Sequence, residues 1–184
     1  MNLKQNGKIV IGLTGAVGSG KSAALKMFEA LGAQTISADA LAAEFFEQNK
    51  SQIAAKFNTR DKAQIAGEVF KNPAAKQWLQ EMLHPLILER ARQIIDKTDK
   101  KIIVFEAPLL VEAGLINAFD FTLCIYADYN LRERRANFTG ADFKRRDAAQ
   151  TPLAAKAQLC DAVVYNNGAK EDLEAKITKL WALF

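Results

Sequence analysis

The run Lys8-Ile9-Val10-Ile11-Gly12-Leu13-Thr14 passes directly into Gly15-Ala16-Val17-Gly18-Ser19-Gly20-Lys21-Ser22. The first part is a β-branched apolar stretch of strand type. The second fits GxxxxGK followed by Ser or Thr, and apolar residues then recur at helical spacing from Ala23 to Leu31. Strand, glycine-rich turn and helix is the order a phosphate-binding loop requires. Gly15, Gly18 and Gly20 allow the backbone to curl, so that the N–H groups along Ala16, Val17 and Ser19 point inward at phosphate oxygens. The helix that follows adds its positive end. Lys21 brings a mobile cation to the outer phosphates, and the Ser22 hydroxyl can ligate Mg²⁺. A plain glycine turn before an ordinary helix is the alternative. At average residue usage, the fixed positions would match by chance in fewer than roughly one chain in a hundred of this length. The motif therefore predicts a nucleoside-triphosphate site with ATP and Mg²⁺ in an α/β domain.

Further along, Gln34-Thr35-Ile36-Ser37 reads as a short strand ending beside Asp39, and a helix follows from Ala40 to Gln48. In open α/β sheets, ligands bind at the carboxyl ends of the strands, which makes Asp39 a candidate for catalysis. Its competing role is that of cap for the helix beginning at Ala40. Residues 51–100 carry apolar side chains at three- and four-residue intervals and contain no convincing strand. Asn72-Pro73 has the form of a helix start, and His84-Pro85 that of a kink or a new start. Lys101 to Glu106, Asp120 to Tyr126 and Ala162 to Tyr165 are continuous apolar runs of the kind parallel strands show. Asn166-Asn167-Gly168 then turns the chain into a last helix. The alternation predicts a P-loop α/β fold with about five parallel strands flanked by helices. Its core would comprise residues 1–40, 101–128 and 151–184, with a helical insertion at about 41–100 and a short arginine-rich lid at about 129–150.

With 184 residues, 49% of them hydrophobic and 25% charged, the chain has the composition of an ordinary globular domain. No apolar run is long enough to span a membrane and no signal region is visible, so a cytoplasmic protein without membrane association is expected. Cys124 and Cys160 read as buried free thiols of a reducing compartment. The net charge of +4 suits anionic small molecules. The arginines lack the interleaved aromatics or reader motif of a nucleic-acid-binding module. A monomer or weak homo-oligomer is expected.

A short chain, a helical block after the second strand and an arginine-rich stretch after the fourth resemble the nucleoside-monophosphate-kinase-like group. Three segments narrow the resemblance to the dephospho-CoA kinase family: Leu83-His84-Pro85-Leu86-Ile87, Pro108-Leu109-Leu110-Val111-Glu112, and Cys160-Asp161-Ala162-Val163-Val164-Tyr165-Asn166-Asn167-Gly168. The resemblance runs from Gly12 to about Leu183. It implies transfer of the ATP γ-phosphate to the ribose 3′-hydroxyl of dephospho-CoA, with Asp39 and Lys21 as catalytic residues. It also implies acceptor contacts from Asp39, His84, Pro108 and Leu109, and nucleotide contacts from Arg135, Asn167 and Gly168.

Bland alternatives stand beside several of these. His84 can be a structural hydrogen-bonding residue, Asn167-Gly168 a plain turn, and Glu112 a surface glutamate. Most of Arg132, Arg134, Arg135, Arg145 and Arg146 can form a solvated basic face. The chain also departs from the family pattern. Ser37 stands where an Asp is usual, and Ala43 where Arg or His is common. The lid is a few residues short, with Phe138 or Thr139 at the position of a phosphate-clamping arginine. Another small-molecule P-loop kinase and a weakened nucleotide-binding regulatory paralogue are the competing readings.

Overall fold

The computed structural model describes residues 2–136 and 139–184. Strands β1 (Ile9–Thr14), β2 (Gln34–Ser37), β3 (Ile102–Glu106), β4 (Phe121–Tyr126) and β5 (Ala162–Tyr165) form one sheet in the order β2-β3-β1-β4-β5. The β1–β3, β1–β4 and β4–β5 pairs are parallel. β1 is central because Val10, Ile11 and Leu13 are wholly buried, as a strand covered on both faces demands.

Alternation along the strands separates two apolar layers. Ile11, Leu13, Val104, Leu123, Ile125 and Val164 pack with Ala24, Met27 and Phe28 of α1 (Lys21–Ala30). Leu173 and Ile177, from the C-terminal helix at Lys170–Trp181, complete that layer. On the opposite face Ala16 and Cys124 pack with Leu153, which opens the helix at Leu153–Leu159.

The chain divides into two compact units, Met1–Ile36 with Ile95–Phe184, and Ser37–Ile94. The second unit contains α2 (Ala38–Gln48), α3 (Lys50–Phe57), α4 (Lys62–Lys71) and most of α5 (Pro73–Lys97). Asn72 caps α5, its Oδ1 accepting from the Ala74 and Ala75 amides at 3.1 and 3.3 Å. The helix then continues through Pro85 for 25 residues, so the break expected at His84-Pro85 does not occur. Pro85 removes one i→i−4 bond, at a cost of about 3 kcal/mol. Buried Leu83, Ile87, Leu88 and Ala91, spaced on one face around it, hold the helix together. The C-terminal end of α5 is closed by the Lys8 ammonium, which donates to the carbonyls of Ile95 and, at 2.8 Å, Thr98.

The remaining helices are α6 (Tyr129–Arg135), α7 (Gly140–Ala148), α8 (Leu153–Leu159) and α9 (Lys170–Trp181). Lys156 of α8 is wholly buried, yet charged. Its ammonium donates to the Pro108 carbonyl at 2.5 Å and pairs with Glu112 at 2.9 Å, tying α8 to the loop after β3. Burial alone would raise the Glu112 pKa. The hydrogen bonds from Lys156 and from the Thr151 amide at 2.7 Å outweigh it and hold the carboxyl below the ordinary glutamate range. Glu112 is thus a surface residue that also serves as the counter-charge of a buried cation.

Glu112→Gln would leave the buried ammonium without its counter-charge, at a cost of about 2–3 kcal/mol. For a chain of this size, thermal unfolding should then begin roughly 5–10 °C lower at neutral pH. Because the folded-state pKa is depressed, the stabilisation is full above the unfolded-state value and is lost as the pH falls through the folded one. The two melting temperatures should therefore converge in acid, as calorimetry across a pH series would check.

Candidate active site

The loop from Gly15 to Gly20 joins β1 to α1. Its turn is closed by the Ser19 amide, which donates to the Ala16 carbonyl at 3.2 Å. Gly18 and Gly20 adopt φ of 75° and 101°, and glycine is required at both for a second reason. A Cβ at Gly18 would lie 2.2 Å from the Arg132 carbonyl oxygen, and one at Gly20 would lie 2.2 Å from Asn166 Nδ2. Gly20 is also the N-cap of α1, so the positive end of that helix opens onto the loop. Lys21, only 8% exposed, folds back so that Nζ donates to the Ala16 carbonyl at 3.0 Å. The Ser19 hydroxyl is buried with no hydrogen-bond partner among the described residues.

Side chains distant in sequence hold this loop. Arg132 of α6 is 5% exposed and pairs with Asp147 of α7 at 2.5 Å. The same nitrogen, Nη1, donates to the Val17 carbonyl at 3.3 Å, while Nε donates to Ala127 O at 3.1 Å. The guanidinium carbon lies 5.5 Å from the centre of the Tyr129 ring and 5.7 Å from that of Phe143. Gln150 Oε1 accepts from the Val17 amide at 3.2 Å. Asn166 donates from its backbone N–H to Tyr126 O at 2.7 Å and from Nδ2 to Ser19 O at 2.8 Å. A solvated face is therefore wrong for Arg132, which is a buried brace. Arg132, Asp147, Gln150 and Asn166 all escaped assignment from sequence. The one available signal was Asn166, the first of two adjacent asparagines after a strand.

Arg135 belongs to the same network. Its Nη1 donates to the Asn166 carbonyl at 2.6 Å and its Nη2 to the Gly168 carbonyl at 3.1 Å. Asn167 Oδ1 accepts from the Asp128 amide at 3.0 Å. Arg135, Asn167 and Gly168 are thereby linked through Asn166 to the glycine loop. Arg134 and Arg145 are exposed, and Arg145 pairs with Asp142 at 2.7 Å. Phe138 lies outside the described residues; Thr139 caps α7, accepting from the Asp142 amide at 3.2 Å. Pro108 and Leu109 follow β3, and the Pro108 carbonyl also accepts from the Thr14 hydroxyl at 3.5 Å.

Asp39 and His84 belong to the helical unit. The cap of α2 is Ser37, whose hydroxyl accepts from the Ala40 amide at 3.4 Å, so Asp39 is not the cap. Asp39 is exposed in the first turn, where the helix dipole favours a carboxylate. His84 is half-buried in α5, and burial lowers its pKa, so the ring is neutral at pH 7. A cavity of about 400 Å³ is lined by Ala42, Ala43 and Phe46 of α2 together with Ile65, Val69 and Leu83. Residues 39, 42, 43 and 46 share one face of α2 by helical spacing.

The loop fits a nucleotide and its metal. It offers a helix N-terminus, a lysine and a hydroxyl at Ser22, and a cavity-filling Cβ at either crowded glycine would destroy it. Among the described residues, no group of three or more His, Cys, Asp or Glu converges as a metal cage. Mg²⁺ carried on a nucleotide needs none, since phosphate oxygens and water supply most of its octahedron. Gly20→Ala combines the clash at Asn166 with an unfavourable φ, so ATP affinity should fall about tenfold or more, equivalent to about 1.4 kcal/mol. Nucleotide titration by calorimetry would measure it, and unchanged affinity would show that Asn166 does not shape the loop.

Comparison with known proteins adds the family. The model of the dephospho-CoA kinase family matches residues 9–172. The dephospho-CoA kinase of Geobacter metallireducens is 34% identical, with 94% of this chain aligned to 95% of that protein. That of Corynebacterium glutamicum is also 34% identical, again over 94% and 95% of the two chains. A crystal structure of a Thermus thermophilus protein superposes with a TM-score of 0.87 at 27% identity, covering 96% of this chain and 98% of the other. Shikimate kinase from Bacteroides thetaiotaomicron, at TM-score 0.56 and 12% identity over 95% and 97% of the chains, shares the fold alone. With its glycine loop, its parallel sheet and a match across nearly its whole length, the chain belongs to the dephospho-CoA kinase family.

Proposed function

We propose that this protein transfers the γ-phosphate of ATP to the ribose 3′-hydroxyl of dephospho-CoA, completing coenzyme A. The observation that carries the reading is the braced glycine loop in a chain that the family matches over residues 9–172. Phosphoryl transfer needs little covalent chemistry from the protein; its work is positioning and charge stabilisation.

The loop amides and Lys21 hold the β- and γ-phosphates. Lys21 exchanges its bond to the Ala16 carbonyl for the phosphate oxygens, so the ammonium is already desolvated before it meets its ligand. The Ser22 hydroxyl would hold Mg²⁺, and the metal would supply positive charge against the phosphates. Arg135, Asn167 and Gly168 form the adenine side of the site, and the arginine-rich segment of α6 and α7 serves as the lid.

On the acceptor side, Asp39 orients the 3′-hydroxyl and accepts its hydrogen bond. Neutral His84 gives a substrate contact and no proton transfer, and Pro108 and Leu109 form wall. The cavity beyond Ala43 takes the uncharged arm of the acceptor. The face shared by Asp39, Ala43 and Phe46 supports this, since a hydroxyl held at Asp39 leaves the rest of the molecule to run along α2.

Lys21→Ala should reduce kcat/KM by at least about a thousandfold, the scale of losing a cation on the transferring phosphate. Asp39→Asn should lower kcat by about a hundredfold or more while ATP affinity changes little; near-normal turnover would leave Asp39 as a dipole partner only. Both are read by following CoA formation from dephospho-CoA and ATP, with nucleoside monophosphates and shikimate as competing acceptors. Turnover of one of those without CoA formation would sink the assignment. Ala43→Trp, which fills the cavity, should raise KM for dephospho-CoA several-fold and leave KM for ATP unchanged.

A further inference from the structure

The chain has two cysteines, 36 residues apart in sequence, and the fold brings them together. Cys124 is in the middle of β4, wholly buried, opposite Thr14 of β1 and Val163 of β5. Cys160 ends α8 and is partly exposed. Both belong to one small apolar cluster with Leu153 and with Ala16 of the glycine loop. They lie close enough for each thiol to shift the ionisation of the other. A single buried cysteine would be ordinary core, but two neighbouring thiols in one cluster, one of them partly open to solvent, have the arrangement that a two-step oxidation uses.

We propose that Cys124 and Cys160 are a peroxide-sensitive dithiol, and that its conversion to a disulfide slows this enzyme through the glycine loop. The roles of the two sulfurs differ. The neighbouring Cys124 thiol, helped by the Thr122 hydroxyl and the Lys156 ammonium, holds Cys160 below the ordinary thiol value despite its partial burial. The Cys160 thiol, together with burial, pushes Cys124 up. Cys160 is therefore the attacking thiolate and Cys124 the resolving thiol.

In the first step Cys160 S⁻ attacks one oxygen of hydrogen peroxide. The O–O bond breaks, hydroxide leaves, and Cys160 becomes a sulfenic acid. In the second step the Cys124 sulfur attacks the Cys160 sulfur. The S–O bond breaks, the Cys124 proton leaves with the departing oxygen as water, and a disulfide remains. The two sulfurs together lose two electrons, which peroxide accepts.

A disulfide requires the sulfurs to approach to about 2.05 Å, closer than any non-bonded contact. The end of α8 must then move toward β4. Ala16 packs on the same cluster, and its carbonyl holds Lys21 Nζ at 3.0 Å, so the movement reaches the residue that grips the phosphates. The effect on turnover rests on the kinase reading; the formation of the bond does not.

Brief treatment of the whole protein with hydrogen peroxide, followed by mass spectrometry, tests the bond. The expected result is a loss of two hydrogen masses and a crosslinked peptide pair containing Cys124 and Cys160, both reversed by dithiothreitol. ATP affinity by calorimetry and CoA formation should fall several-fold in the oxidised protein and recover on reduction. Cys160→Ser should keep its activity through the same treatment, with Cys124→Ala as a second, independent variant. Oxidation of Cys160 to a sulfinic acid without a crosslink would overturn the dithiol. Loss of activity in Cys160→Ser equal to that of wild type would overturn the link to the loop, as would a disulfide that leaves ATP affinity unchanged. If reduced wild type forms no CoA at all, the kinase reading fails, while the crosslink and ATP affinity still judge this proposal.

Discussion

A single buried guanidinium organises the nucleotide end of this molecule. Arg132 is nearly inaccessible, and a cation so placed must have its charge and its donors satisfied. Asp147 supplies the charge, and the carbonyls of Ala127 and Val17 accept two further hydrogen bonds. The two aromatic rings beside it offer a π face that suits a weakly hydrated cation. Because Val17 is one of the partners, the charge balance of Arg132 and the shape of the glycine loop are one problem. Gln150 holds the other side of the same peptide, and Asn166 does the equivalent for Ser19. The loop is therefore shaped before any nucleotide arrives, which lowers the ordering cost of binding.

Lys156 repeats the principle at the loop after β3. In both places a loop that follows a strand is held by a long cationic side chain from the C-terminal half. Hydrophobic contacts could not replace these anchors. They bind carbonyl oxygens, and the apolar layers around α1 and α8 have nothing with which to satisfy such groups.

Much of the fold was legible because parallel strands buried on both faces leave continuous apolar runs, and β1, β3, β4 and β5 stand within one residue of the stretches that announced them. The helix α5 was not fully legible. The rule that a residue before proline avoids helix acts on one peptide, whereas a buried face of Leu83, Ile87, Leu88 and Ala91 acts over several turns, and the longer-range term wins. The cap of α2 stayed open in the sequence for a local reason. Ser37 and Asp39 are both good caps, and sequence does not say which carbonyl begins the helix. Arg132 and Lys156 were beyond reach in a stronger sense. Their partners lie far away in the chain, and nothing in an arginine-rich run distinguishes the one that turns inward.

The central position of β1 has a consequence for how the protein is made. The glycine loop is synthesised well before its partners: its strand pairs with β3 and β4, about 90 and 110 residues later, and its brace closes at Asp147 and Asn166. At ribosomal speeds of about 5–20 residues per second, the loop waits on the order of ten seconds for those partners to exist. Throughout that interval the nascent chain carries the complete phosphate-binding motif without the geometry that makes it one. The shape of the loop is thus acquired only once the segment through Asn166 has been made, and a chain cut before that residue would display the motif without its brace.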